Sequence, residues 1–248
     1  MPRVAVITGA SSGVGRAMAC ALAGEGTVLC LVGRDLDRLR PVAAAAQDAG
    51  SSVHCYAADL ARDRDIAALS EHVQRDCPSV DVLVHSAGII SLGRMEEAAI
   101  AEFDDQYRVN VRAPYLLTQR LLPSVRACGG QIVFINSSAG LKAGAGVGQY
   151  AATKHALKAV ADSVRDEVND AGVRVLTVFL GRTATPMQAA IHDLEGKVYE
   201  PEHLAQPEDV AAVVVHALSL PRTAEVTEIS VRPLRKPGSS RRAEGGPR

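Results

Sequence analysis

Ser137, Tyr150 and Lys154 are the side chains of this 248-residue chain whose types and spacing point most directly to chemistry. Tyr150 and Lys154 lie four residues apart, which places both on one face of a helix. The segment that follows Tyr150, Ala-Ala-Thr-Lys-His-Ala-Leu-Lys-Ala-Val-Ala, contains neither Pro nor Gly and predicts that helix. An ammonium beside a phenol favours the phenolate, so Tyr150 is expected to titrate below the value of about 10 of a free tyrosine. It would then serve as an acid or base nearer neutrality. Ser137 follows the apolar run Gln131–Asn136, which reads as a buried strand. A hydroxyl at the carboxyl end of a strand can donate a hydrogen bond to a substrate oxygen. By itself the pair also fits a half-exposed ring beside a solvated charge. None of Tyr56, Tyr107, Tyr115 and Tyr199 has a lysine at the same offset.

The elements that must position these groups alternate along the chain. Short β-branched runs at Val4–Thr8, Val28–Val32, Val53–Ala57, Val82–His85, Gln131–Asn136, Val173–Phe179 and Val226–Val231 read as strands. Helical patterns occupy 14–24, 35–48, 63–76, 99–126, 148–170 and 207–219. Strands apolar on both faces and separated by helices predict an α/β protein. Its sheet is expected to be parallel, seven-stranded and doubly wound, of Rossmann type, with helices on both faces. No repeat or linker divides residues 1–234, which read as a single dinucleotide-binding and catalytic domain; 235–248 are basic, lack large apolar side chains and read as a frayed, disordered tail.

A second constellation stands at the amino end. The first strand runs into Thr8-Gly9-Ala10-Ser11-Ser12-Gly13-Val14-Gly15, with a helix beginning near Gly13. Such a turn lets backbone approach a pyrophosphate, and the helix N-terminus offers N–H donors. The second strand ends in Gly33-Arg34, where an acidic residue would bind a ribose 2′-hydroxyl; a guanidinium there suits a 2′-phosphate and argues for NADP(H). Asp59 and Leu60 follow the third strand. Asp59 could accept from an adenine amino group, and Asp63 is the better candidate to cap the next helix. Ser86, Ala87 and Gly88 follow the fourth strand, small enough for close cofactor packing.

Composition narrows the classes. Apolar residues make up 47%, aromatics 3%, and the formal net charge is −1, so the core is aliphatic and no broad basic field would draw nucleic acid or an anionic membrane. The five cysteines show no metal-ligand spacing and read as reduced core thiols of a cytoplasmic protein. No His/Cys/acid cluster calls for a metal, no apolar stretch is long enough to span a bilayer, and no signal-peptide layout is present at the start.

These motifs together resemble the short-chain dehydrogenase/reductase family, in its compact single-domain branch, over about residues 3–233. The glycine motif matches at Thr8–Gly15 and the adenine-side Asp at Asp59. The Asn-Asn-Ala-Gly motif matches only in part, as His85-Ser86-Ala87-Gly88, with His85 read as structural. The catalytic Asn matches Asn110 within Tyr-Arg-Val-Asn-Val, and the Ser, Tyr and Lys match Ser137, Tyr150 and Lys154. Ser137 is preferred to Ser138 because it stands thirteen residues before Tyr150 and three before Gly140. The Pro-Gly-x-x-x-Thr-x-Met stretch appears as Leu180-Gly181-Arg182-Thr183-Ala184-Thr185-Pro186-Met187.

The resemblance implies hydride transfer between the nicotinamide and a carbonyl or alcohol carbon. Tyr150 would move the proton, and Ser137 would hold the substrate oxygen. Lys154 would lower the Tyr150 pKa and bind the nicotinamide ribose, and Asn110 would hold a water that links Lys154 to solvent. Gly9, Ser11, Ser12, Gly13, Val14, Gly15, Arg34, Asp59, Leu60, Ser86, Ala87, Gly88, Tyr150, Lys154, Gly181, Thr183 and Thr185 would contact NADP(H). Ser137, Leu141, Tyr150 and Met187 would contact substrate. Candidate substrate walls are Ile89, Ile90, Leu92, Leu141, Val147, Met187 and Ile191, mostly aliphatic and suited to an apolar ketone; Arg94, Lys142 and Arg182 could meet an anionic one. The expected partner is a small carbonyl or alcohol compound, and the 99–126 and 148–170 helices would pair across a two-fold axis into a homodimer or homotetramer. The readings in competition are an NADP(H)-dependent ketoreductase, a 3-oxoacyl-thioester reductase of fatty-acid or polyketide type, and a redox-inactive NADP(H)-binding regulator. The last normally lacks the Tyr or the Lys.

Overall fold

The computed structural model describes residues 3–235, so the basic tail, past its first residue, lies outside the described residues. Seven strands, β1 (Arg3–Thr8), β2 (Thr27–Gly33), β3 (Ser52–Ala57), β4 (Val82–His85), β5 (Gln131–Ser137), β6 (Arg174–Leu180) and β7 (Glu228–Val231), form one sheet in the order β3-β2-β1-β4-β5-β6-β7. Every neighbouring pair is parallel. The helices are α1 (Gly13–Leu22), α2 (Leu36–Asp48), α3 (Asp63–Asp76), α4 (Ile100–Tyr107), α5 (Ala113–Arg126), α6 (Gly148–Val168), α7 (Pro186–Leu194) and α8 (Pro207–Ser219).

Side chains on a strand alternate between its faces, and the core divides accordingly. Ala5 and Ile7 of β1, with Leu29 and Leu31 of β2, pack under α1, α2 and α8 through Met18, Leu39, Val210 and Val214. Val4, Val6, Cys30 and Val32 face the other way and meet Ile66, Leu69, Leu117, Leu121 and Leu157 of α3, α5 and α6. Because both faces are covered, the central strands are apolar throughout, which is the pattern visible in the sequence.

The strand order reverses between β1 and β4, and ligands in such sheets bind in the crevice outside the strand ends at that point. There the turn after β1 presses against the turn after β4. Gly9 adopts φ +67°, and a Cβ on it would fall 2.9 Å from the Ala87 backbone. Gly15 lies in the first turn of α1, and a Cβ there would fall 2.3 Å from the Gly9 carbonyl oxygen. Only a chain bare of side chains at both points allows helix, turn and neighbouring strand to close up.

Three elements differ from the sequence reading. The helix expected over 99–126 is two helices, α4 and α5, joined by a π-turn at Arg108–Arg112 in which the Ala113 N–H donates to the Arg108 carbonyl. Pro114 lacks the N–H that would serve the Asn110 carbonyl four residues back, which leaves a gap in the α-helical ladder at this junction. Asp63 is not the cap of α3; Arg62 holds that position without a side-chain capping bond, while Asp63 is the first helical residue and pairs with Arg112. The stretch between Thr185 and Gln206 contains α7, whose start was legible as Thr185-Pro186, a capping hydroxyl followed by a residue suited to the first helical position.

Replacing Gly15 with Ala is expected to destabilise the fold by about 2 kcal/mol or more, since its Cβ meets rigid backbone. Thermal unfolding should show Tm lowered by about 4–8 °C; an unchanged Tm would contradict the packing described.

Candidate active site

A cleft of about 730 Å³ runs along the carboxyl ends of the strands and is lined by both constellations singled out in the sequence. Gly9, Ser11, Ser12, Gly13 and Val14 form one side; Ser137, Tyr150 and Lys154 lie on its wall; Ser86, Ala87 and Gly88 bridge between them. Gly181, Thr183 and Thr185 close the opposite side. Gly15 is not on the wall but braces the turn from behind.

The glycine turn leads into α1 with Ser12 at the cap position, yet the Ser12 side chain makes no capping bond. The first-turn N–H groups of α1 therefore remain open toward the cleft, where they favour an anion. Thr185 stands beside them, its methyl 3.0 Å from where a Cβ on Gly13 would be. Thr8 Oγ1 holds the turns together: it accepts from the Ser86 and Ala87 N–H groups at 3.0 and 3.2 Å and donates to the Val84 carbonyl at 3.2 Å. The sequence reading quoted Thr8 only as part of the motif and missed this bracing role.

Tyr150 and Lys154 lie in the first two turns of α6, and Asn136 ties that helix to the end of β5. Asn136 Nδ2 donates to the Lys154 carbonyl at 3.0 Å, and its Oδ1 accepts from the Ser137 N–H at 2.7 Å. One side chain thus fixes Ser137 relative to Lys154. The Lys154 ammonium is buried, donates to the Ile135 carbonyl at 3.2 Å and lies 5.7 Å from the Tyr150 ring centroid. Asn110 sits in the π-turn, where Nδ2 donates to the Ile89 carbonyl and to Thr153 Oγ1 while Oδ1 accepts from the Ile89 N–H. It stands behind the wall rather than on it; a Cβ on Gly88 would fall between Asn110 Oδ1, at 3.3 Å, and Lys154 Nζ, at 3.7 Å.

The electrostatics reverse one expectation. Burial pushes the Tyr150 phenol up to about 12, with the Ser137 hydroxyl acting more weakly the other way. Burial also pulls the Lys154 ammonium down to about 8. Loss of water is the dominant effect on the phenol, so Tyr150 rests as a protonated acid. Spacing alone shows the pair but not the desolvation around it.

At the far end, Arg34 lines the cleft together with Arg38 and Arg62, which the sequence reading did not select. Among the described residues Arg34 and Arg38 form no ion pair, whereas Arg62 meets Asp59 at 3.2 Å. Asp59 Oδ1 also accepts from the Ala61 N–H, and Leu60 lies beside it on the wall. Among the expected substrate walls, Ile89, Ile90, Met187 and Ile191 line the cleft, and Gln188 adds an amide. Leu141, Leu92 and Val147 do not line it, and Leu141 is exposed. Arg182 lines the cleft but is paired with Glu195, and Arg94 is paired with Glu96 outside it.

His85 lies in the core, 2.8 Å from Thr118 Oγ1 and stacked on Phe134, with burial holding its imidazole down to about 3. It is neutral and structural. Among the described residues the grouping of metal-type ligands is Glu200, Glu202 and His203, exposed and outside the cleft lining. No helix among them is long and apolar enough to cross a membrane.

A parallel seven-stranded sheet, a glycine turn at the switch point and a Tyr–Lys pair across it restrict the possibilities, and the family comparison decides among them. Residues 3–196 match the family model described as short chain dehydrogenase. The chain belongs to the short-chain dehydrogenase/reductase family. An alcohol dehydrogenase from Thermococcus sibiricus, solved in complex with 5-hydroxy-NADP, is 29% identical with a TM-score of 0.87, over 96% of this chain and 99% of that one. L-sorbose reductase from Gluconobacter frateurii, solved with NADPH and L-sorbose, is 30% identical with a TM-score of 0.84, over 93% of this chain and 95% of that one. The curated glycine betaine reductase ATRR of Emericella nidulans is 33% identical over 240 residues; these span 95% of this chain but only 19% of that protein's length.

The buried lysine gives this family member a signature in stability. Below about pH 8 the folded state holds an ammonium out of water, a penalty the unfolded chain escapes. Between about 8 and 10.5 the folded Lys154 has lost its proton while the unfolded one retains it, so stability rises with pH across that window. Tyr150 acts in the opposite sense only above about 10, where the unfolded phenol ionises and the folded one does not. The Tm of the cofactor-free wild type, relative to Lys154→Met, is expected to climb from pH 7.5 to 9.5; a flat difference would show that the ammonium is not desolvated.

Proposed function

We propose that this chain is an NADP(H)-dependent ketoreductase that passes a hydride between the nicotinamide and the carbonyl carbon of an apolar ketone. The observation that carries the reading is the sharing of one cleft by the glycine turn, Arg34, Arg38 and Arg62, and the Ser137, Tyr150 and Lys154 group.

The wall fits a phosphorylated dinucleotide. The open α1 N-terminus and the small residues after β4 suit the pyrophosphate and the cofactor's close approach. The β2 end carries Gly33-Arg34 in place of a carboxylate, with Arg38 beside it, and such forks hold a 2′-phosphate through charge-assisted hydrogen bonds. The NADP and NADPH complexes of the two structural relatives support the same choice. The bound nicotinamide would supply or receive the hydride.

The chain's own residues do the rest. Tyr150, resting as an acid, donates its proton to the developing alkoxide. Ser137, its Oγ already accepting from the Ala139 N–H, directs its own hydrogen to the carbonyl oxygen. Lys154 holds the ribose and supplies positive charge beneath the ring. Asn110 fixes the Ile89 loop and, through its remaining acceptor capacity, holds the water that links Lys154 to solvent. Ile89, Ile90, Met187 and Ile191 exclude water around an aliphatic substituent. The reading also places the protein in the cytoplasm, where NADPH is kept reduced, and pairs copies through α5 and α6, near which Tyr107 and Tyr115 are exposed.

Two measurements test it. With a panel of aliphatic and aryl ketones, Tyr150→Phe is expected to slow ketone-dependent NADPH oxidation by about 10²–10⁴-fold, far more than it weakens NADPH binding; a wild-type rate would remove the assigned proton donor. In fluorescence titrations, Arg34→Ala should weaken NADPH binding by about tenfold or more and NADH binding hardly at all. An unchanged NADPH-to-NADH ratio would contradict the phosphate assignment.

A further inference from the structure

Between Ala184 and Ala205 the chain leaves the sheet, forms α7 and returns. Its neck is closed by backbone bonds: the Ala184 N–H donates to the Ala205 carbonyl at 2.8 Å, and the Ala205 N–H to the Arg182 carbonyl at 3.2 Å. From this excursion Met187, Gln188 and Ile191 face the cleft. Yet α7 has only nine residues, too few to hold a helix by itself, and its buried residues are two polar ones, Gln188 and His192. Leu194 and Val198 are exposed, so apolar packing does not fasten its far end.

Arg182 does. It springs from the loop after β6, and its Nη2 donates to both Glu195 carboxylate oxygens at 2.8 Å, just past the end of α7. Its Nη1 lies 3.2 Å from His192 Nε2. His192 Nδ1 lies 2.8 Å from the Gln188 carbonyl, so Nδ1 carries the hydrogen and Nε2 accepts from the guanidinium. The imidazole meets Tyr199 edge-on at 5.4 Å. The side-chain exposures of Arg182 and Glu195 are 29% and 24%, so the pair is sheltered in part, and the contact of one guanidinium nitrogen with both carboxylate oxygens fixes its geometry. Lys197 also touches Glu195, but from an exposed position.

We propose that Arg182, His192 and Glu195 clamp α7 as a wall of the substrate end that is already fixed before any ligand binds, and that Glu195 is thereby a positioning residue for the carbonyl substrate. The proposal rests on the ketoreductase reading of the cleft. Glu195 lies outside the cleft lining, and the helix it fastens brings Met187, Gln188 and Ile191 to the cleft, so releasing Glu195 acts first on how substrate is held.

Glu195→Gln keeps the shape and removes the charge, with Lys197→Ala as the control that spares the clamp. In the cofactor-free protein, the α7 amides of Glu195→Gln are expected to exchange hydrogen about tenfold faster or more than those of the wild type. With NADPH saturating, its KM for an accepted ketone should rise about fivefold or more while kcat and the NADPH Kd stay within about twofold. Lys197→Ala should match the wild type throughout, and an unchanged far-ultraviolet dichroism spectrum of Glu195→Gln would show that the fold is intact. Wild-type exchange and KM in Glu195→Gln, or equal losses in Lys197→Ala, would overturn the clamp. If the wild type reduces no ketone, the functional reading fails, and the exchange rates still decide the clamp.

Discussion

A lysine ammonium withdrawn from water beneath a tyrosine ring is the constraint on which this structure turns. Desolvating an ion is unfavourable by several kcal/mol unless the surroundings compensate. Among the described residues Lys154 finds the Ile135 carbonyl and the face of the Tyr150 ring, and no carboxylate pairs with it. The strain shows as an ammonium and a phenol both driven toward their neutral forms. Such an arrangement persists only where rigid neighbours leave the side chains no other place. Asn136 supplies that rigidity from β5, Asn110 from the π-turn, and Thr8 from beneath the strand ends. Sites of this kind draw their acidity from what enters them, because an added charge acts in a medium poor in water.

The sheet carries this load because it is buried on both faces. Parallel strands place all their carboxyl ends on one side, so a glycine turn after β1 and a hydroxyl at the end of β5 meet across one cleft although well over a hundred residues separate them in the chain. The excursion carrying α7 is the exception to core-driven order: its contacts are polar and local, and it closes the cleft from outside the sheet.

Much of this was legible in the sequence. The strands were, since double burial writes an unbroken apolar run, and so was the Tyr–Lys pair, since helical spacing alone aligns it. The glycine turn was marked by its residues. What the sequence hid depended on distant partners. Asn136 and Thr8 look like ordinary strand residues until their hydrogen bonds are seen. Arg38 and Arg62 resemble many other surface arginines, and only the fold turns them toward Arg34. The π-turn had a signal in Pro114, overlooked because the apolar period continued on both sides of it. Leu141 follows Ser137 closely in sequence, yet it stands past the 3₁₀ turn at Ser138–Gly140 and does not line the cleft. Acidity misled most, because proximity can be read from spacing and burial cannot.

The proposed function requires of Tyr150 an acidity that burial beside Lys154 lowers and that charge brought into the cleft restores. Its most direct test is ultraviolet difference titration of the phenols, wild type minus Tyr150→Phe, with the cleft empty and with NADP⁺ bound. The account predicts that Tyr150 ionises near pH 12 in the free protein and at least about two pH units lower in the complex, where a cationic ring joins the ammonium. A Tyr150 that ionises at or below the free-tyrosine value of about 10 in the empty protein, or that does not move on binding, would contradict it.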